Sequence, residues 1–107
     1  MTLNEWCKYI HETAKRKGWY DKERNPLEIH ALFHSEIAEA TEQVRKSQPA
    51  IWYDNNGKPQ GEAVELVDCI IRIMDWFEKN GWDLQEILEL KTKYNETRPY
   101  RHGGKKY

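Results

Sequence analysis

A chain of 107 residues is long enough for one domain with a single core and too short for two. Charged residues make up 33% of it and the mean hydropathy is -1.00, but five Trp, six Tyr and two Phe supply aromatic area that a disordered segment lacks, so a folded protein is expected. A net charge of -1 excludes a global field drawing the chain onto nucleic acid or anionic membrane, and no run approaches the ~18 apolar residues of a membrane span.

The opening MTLNEWCKYIHETAKRKGW has no apolar signal-type region, and Cys7 and Cys69 have no metal-ligand spacing. A soluble, unexported, cytoplasmic protein with reduced thiols is expected. Leu3, Trp6, Cys7, Ile10 and Ala14 recur at helical spacing and predict a first helix over 3–17, capped by Thr2 or Asn4 and ended by Gly18. After the polar connector WYDKERN, Asn25 followed by Pro26 starts a second helix running to about 46. Residues 47–61, SQPAIWYDNNGKPQG, read as a long loop with room for a small hairpin. A third helix spans 62–80 and stops at Gly81. Asp83 caps a fourth that Pro99 limits, and RHGGKKY is a tail. No strand is convincing, so the expectation is an all-α chain of four helices, 1–107 forming one domain.

The second helix carries an anomaly. Ile29, Leu32, Phe33, Ile37, Ala40 and Val44 occupy one arc, and Glu36 falls inside that arc, with Glu39 at its border. On the third helix, Ala63, Val64, Leu66, Val67, Ile70, Ile71, Ile73, Met74 and Phe77 cover about half the circumference, so that helix reads as largely enclosed. Beside them runs a stripe of Glu65, Asp68, Arg72 and Asp75, a pattern also typical of a solvated face. Burying an unpaired carboxylate costs several kcal/mol or forces it to protonate, so Glu36 needs a partner. Arg72 is one candidate. Antiparallel packing that gathers Glu36, Glu39, Glu65 and Asp68 would make a metal ion the other, and four acids against one arginine suit a hard divalent cation such as Mg²⁺ or Mn²⁺. A structural ion-pair cluster and a metal centre both remain open on these residues.

Lys91, Tyr94, Asn95 and Arg98 share one face of the fourth helix, where an amphipathic polar seam is the plain expectation and phosphate binding the functional one. Arg101, His102, Lys105 and Lys106 make the tail basic, and Gly103-Gly104 would let backbone approach an anion. His30 and His34 are four residues apart on the second helix but have no third metal ligand in view, which leaves His34 as a pocket-lining residue at most. Trp19 and Trp52, lying in connectors, are the tryptophans suited to contact a base.

Glu36-Ile-Ala-Glu39 followed by Glu65-Leu-Val-Asp68 resembles the ExxE…ExxD signature of the MazG-like members of the all-α nucleoside triphosphate pyrophosphohydrolases. HSEIAEATE, GEAVELVDCIIRIMDW and the ending KTKYNETRPYRHGGKKY are similar to that family as well, over about residues 19–107. The resemblance implies a four-helix MazG-like bundle completed by dimer or tetramer formation. It also implies Mg²⁺-dependent hydrolysis of a (deoxy)nucleoside triphosphate to the monophosphate and pyrophosphate. Glu36, Glu39, Glu65 and Asp68 would be the metal-holding and catalytic carboxylates. Lys91, Tyr94, Asn95, Arg98, Lys105, His34 and Trp19 would lie on the substrate. The rival expectations are a non-enzymatic dimeric helical interaction module and a pyrophosphohydrolase acting on a modified or non-nucleotide substrate.

Overall fold

The computed structural model describes residues 1–101. Its four helices are α1 (Leu3–Arg16), α2 (Pro26–Arg45), α3 (Glu62–Lys79) and α4 (Leu84–Glu96), and the chain is predominantly helical. None of the described helices is long and apolar enough to cross a membrane. Each start has a local cause. Thr2, not Asn4, caps α1: its Oγ1 accepts from the Glu5 amide at 3.1 Å while its own amide donates to Glu5 Oε1 at 3.0 Å, a reciprocal capping box. Asn4 instead reaches the start of α4, donating to Asp83 Oδ1 at 2.8 Å and accepting from the Gln85 amide at 3.2 Å. Asn25 caps α2 with Pro26 at its first position, and Asp83 caps α4 by accepting from the Glu86 amide.

Within the 47–61 loop the chain does form strands, β1 (Trp52–Tyr53) and β2 (Pro59–Gln60), an antiparallel pair with Trp52 opposite Gln60 and Tyr53 opposite Pro59. They were not convincing in the sequence because two-residue strands carry no alternation to detect. Asp54 organises the turn: its Oδ1 accepts from the Asn56 and Lys58 amides at 2.8 and 3.0 Å. Trp52 Nε1 donates to Gln43 Oε1 at 3.0 Å and holds the hairpin against α2. At the other end Gly61, φ 117°, lets the chain enter α3, and a Cβ there would run into the Ala50 carbonyl, which accepts from the Ala63 amide at 3.1 Å.

Helices α1 and α2 both pack on α3, whereas α4 packs chiefly on α1. One polar network locks α1 and the following connector to α3: Asp75 faces His11 Nδ1 at 2.7 Å through Oδ1 and accepts from Tyr20 Oη at 2.8 Å through Oδ2. Burial first, then Asp75, pushes the Tyr20 hydroxyl well above the ordinary phenol range. Asp75→Ala leaves both partly buried partners without their acceptor, and is expected to lower the unfolding free energy by about 2 kcal/mol, read as a reduced urea midpoint at unchanged slope.

The interior formed by one chain is small. Its buried apolar residues are Cys7, Ile29, Ala40, Cys69, Met74 and Trp76. Leu66, Val67, Ile70 and Ile71 of α3 are exposed, so α3 is not enclosed within one chain as its pattern predicts; Ile37 and Val44 of α2 are exposed too. The apolar arcs are real, but α1, α2 and α3 leave an open groove of about 900 Å³ along them. The radius of gyration is 16.5 Å against roughly 13 Å for a compact domain of this length. The accessible surface of 8485 Å² is about a third above the ~6,300 Å² of a compact monomer of this mass.

Candidate metal centre

Glu36 points inward from α2, as its position in the apolar arc predicts, and is 8% exposed. Opposite it, Glu65 and Asp68 project from the first two turns of α3, and carboxylate oxygens of the three lie within 4.8 Å of one another. Arg72, one turn further along α3 from Asp68, donates from Nε to Glu36 Oε1 at 2.8 Å. Of the two partners inferred for Glu36, the arginine is in place, and the two oxygens of the carboxylate are in different situations. Oε1 has the arginine, while Oε2 is buried with no hydrogen-bond partner. A buried carboxylate oxygen without a partner, on a residue grouped with two further acids, is what a hard cation would satisfy, and the donor set is all oxygen.

The cluster also shows the electrostatic cost of leaving these acids alone together. Burial, then the hydrogen bond to Glu39 and the charges of Glu39, Asp68 and Glu36, push Glu65 up to about 7. Asp68 is raised by burial and by Glu36, against the opposing charges of Arg72 and Lys58. Lys58 comes from the β1–β2 turn, so the hairpin contributes a positive charge to the site that the sequence does not signal. Glu39 is exposed and stands against Glu65, at the border of the cluster rather than within the closest group of three. Among the described residues, only Glu36, Glu65 and Asp68 form a group with metal-ligand proximity; exposed His30 and His34 do not join one.

The other predicted site residues are distributed between two places. Lys91 Nζ stands 4.9 Å from the Tyr94 ring centroid on α4, with Asn95 exposed alongside; Arg98 falls past the end of the helix at Glu96, not on its face as the spacing predicts, yet its Cζ still lies 5.8 Å from the same ring. That face belongs to a helix packed chiefly on α1, whereas the carboxylates are on α2 and α3, and among the described residues the two groups are not packed together. Lys105 lies outside the described residues, as do His102, Lys106 and the Gly103-Gly104 pair. Trp19 lines the groove that Glu36, Asp68 and Arg72 also line, while Trp52 is committed to Gln43.

Arg24, which the sequence did not single out, also lines that groove, and its guanidinium stands over Trp19. The signal for it is thin: one of two cations among the four charged residues of a polar connector. Comparison with protein-family models, curated proteins and solved structures finds no match for this chain.

Proposed function

We propose that the chain is a MazG-like nucleoside triphosphate pyrophosphohydrolase working as a homodimer or homotetramer. Glu36, Glu65 and Asp68, bordered by Glu39, would hold Mg²⁺ or Mn²⁺. The observation that carries this reading is Glu36 itself, buried, with one oxygen on Arg72 and the other unpartnered beside two more carboxylates whose proton affinity is raised. A triphosphate brings about four negative charges to an acidic site and can approach only with a divalent cation. Bound Mg²⁺ would supply that neutralisation and polarise the phosphoryl group under attack. In the reaction, water attacks the α-phosphorus, the bond from that phosphorus to its bridging oxygen breaks, and pyrophosphate leaves. A cluster carboxylate not engaged by the ion accepts the water proton.

Self-association is supported by the open groove and by the surplus accessible surface, about 2,200 Å² per chain, which exceeds the ~800 Å² that a standard interface takes from each partner and falls in the range of an obligate one, ~2,000–5,000 Å² over both partners. A second copy is also the simplest source of a phosphate-binding face for a cluster that its own α4 does not reach. Cytoplasmic location goes with this reading of the substrate.

The same exposed apolar residues favour one alternative, a helical module that binds a partner without catalysis. A panel of ribo- and deoxyribonucleoside triphosphates, assayed for pyrophosphate release with Mg²⁺ and with Mn²⁺, separates the two. Release from at least one nucleotide, abolished by EDTA, is the expected result. No release from any of them, by protein that is folded and assembled, leaves the interaction module or a modified or non-nucleotide pyrophosphate substrate.

A further inference from the structure

Trp19 sits on the rim of the groove with two guanidiniums over its ring, Arg72 Cζ at 5.2 Å and Arg24 Cζ at 5.5 Å from the centroid. Their situations differ. Arg72 has its counter-charge in Glu36 at 2.8 Å. Arg24 has none: among the described residues no carboxylate forms an ion pair with it, one terminal nitrogen donates to the Trp19 carbonyl at 3.2 Å, and its Nε is buried without an acceptor. A half-buried guanidinium is always charged, and leaving a donor unsatisfied away from water is costly. The planar fork that remains is shaped for the oxygens of a phosphate or a carboxylate.

The position of this cation supplies the rest of the argument. Glu36, Arg72, Trp19 and Arg24 form one continuous series along the groove wall, each in contact with the next. The acidic end can take a divalent cation, and the other end presents an unpaired positive charge one indole ring away. A ligand matching both ends is a metal-bound polyanion extending from the carboxylates toward Arg24. We infer that Arg24 and Trp19, backed by Arg72, form an anion subsite that receives a phosphate group of a polyphosphate chain. The choice of polyphosphate rests on the pyrophosphohydrolase reading. With two guanidiniums over its ring, Trp19 serves as a platform for those cations.

Equilibrium binding of inorganic tripolyphosphate to the full chain, measured calorimetrically in Mg²⁺, tests this without requiring turnover. Arg24→Gln is expected to weaken binding ~10- to 100-fold, and Arg24→Lys, which keeps the charge but not the fork, to fall between Arg24→Gln and wild type. Far-UV circular dichroism and sedimentation of both variants should match wild type. Failure of wild-type protein to bind tripolyphosphate, or unchanged affinity in Arg24→Gln, overturns the inference. So does a changed association state with unchanged tripolyphosphate affinity, which would assign Arg24 to a carboxylate of a second copy. A chain that hydrolyses no nucleotide yet binds tripolyphosphate through Arg24 keeps the subsite and loses the enzymatic reading. Hydrolysis with an unaffected KM and unaffected binding in Arg24→Gln does the reverse.

Discussion

Glu65→Gln is expected to reduce Mg²⁺-dependent pyrophosphate release by on the order of 10²- to 10³-fold while raising the melting temperature of the metal-free protein. The two effects have one origin. Glu65 is 9% exposed and surrounded by Glu36, Glu39 and Asp68, so a negative charge there is unfavourable without a cation and indispensable with one. The neutral amide keeps the shape and removes the repulsion. The pH dependence follows from the direction of the shift. Below pH 4.5 the carboxyl is protonated in folded and unfolded chains alike and costs nothing. Between 4.5 and about 7 the unfolded chain releases this proton first, so the metal-free protein loses stability across that window and levels off above it. Asp68, also raised, adds in the same direction. Thermal melts in EDTA from pH 4.5 to 8 should show this decline in wild type and a flatter profile in Glu65→Gln, with stabilisation by Mg²⁺ growing over the same interval in wild type alone. A variant that keeps its activity, or melts lower than wild type in EDTA at pH 8, removes the basis for reading the cluster as a cation site.

Mixing two inactive variants should restore activity. Arg98→Ala removes the guanidinium that stands over Tyr94 just past the end of α4, and Glu65→Gln alters the carboxylates of α3. Because α4 packs on α1 and leaves the cluster of its own chain uncovered, the proposed assembly draws the two halves of each pocket from different copies. Co-refolding equal amounts of the variants then yields mixed dimers with one intact pocket, and about a quarter of wild-type activity per chain is expected for random pairing. Activity that stays at the level of the separate variants would mean that both halves come from the same chain, and that α4 must move to reach the cluster.

The helices were legible because their boundary signals are local: Asn25-Pro26, Gly18, Gly81 and Asp83 act within a turn of where they stand. Glu36 was legible for a related reason, since its inward direction depends only on the helical period around it. What the period does not encode is the object that covers an apolar arc. Ile70 and Ile71 have the pattern of core residues, yet in one chain they face a groove. The Asp75 network was illegible because its partners, His11 and Tyr20, are 64 and 55 positions away, and nothing local pairs them. Asn4, one of two cap candidates beside Thr2, has its partners 79 and 81 positions on. Arg24 shows the same limit, for a connector has no periodicity from which to infer a direction.

Helix α4 has no buried residue, and Ile87, Leu88, Leu90 and Tyr94 are all exposed along its 13 residues. A helix of this length is marginal in water unless something packs on it, and its anchorage lies at its start, in the Asn4 bonds to Asp83 and Gln85, and along a flank of α1. Its amide protons should therefore exchange with solvent far faster than those of α2 and α3, by local fraying that leaves the rest of the fold intact. If a second copy covers it, dilution will accelerate exchange in α4 first, and the protein concentration at which that happens gives a direct reading of how tightly the copies hold each other.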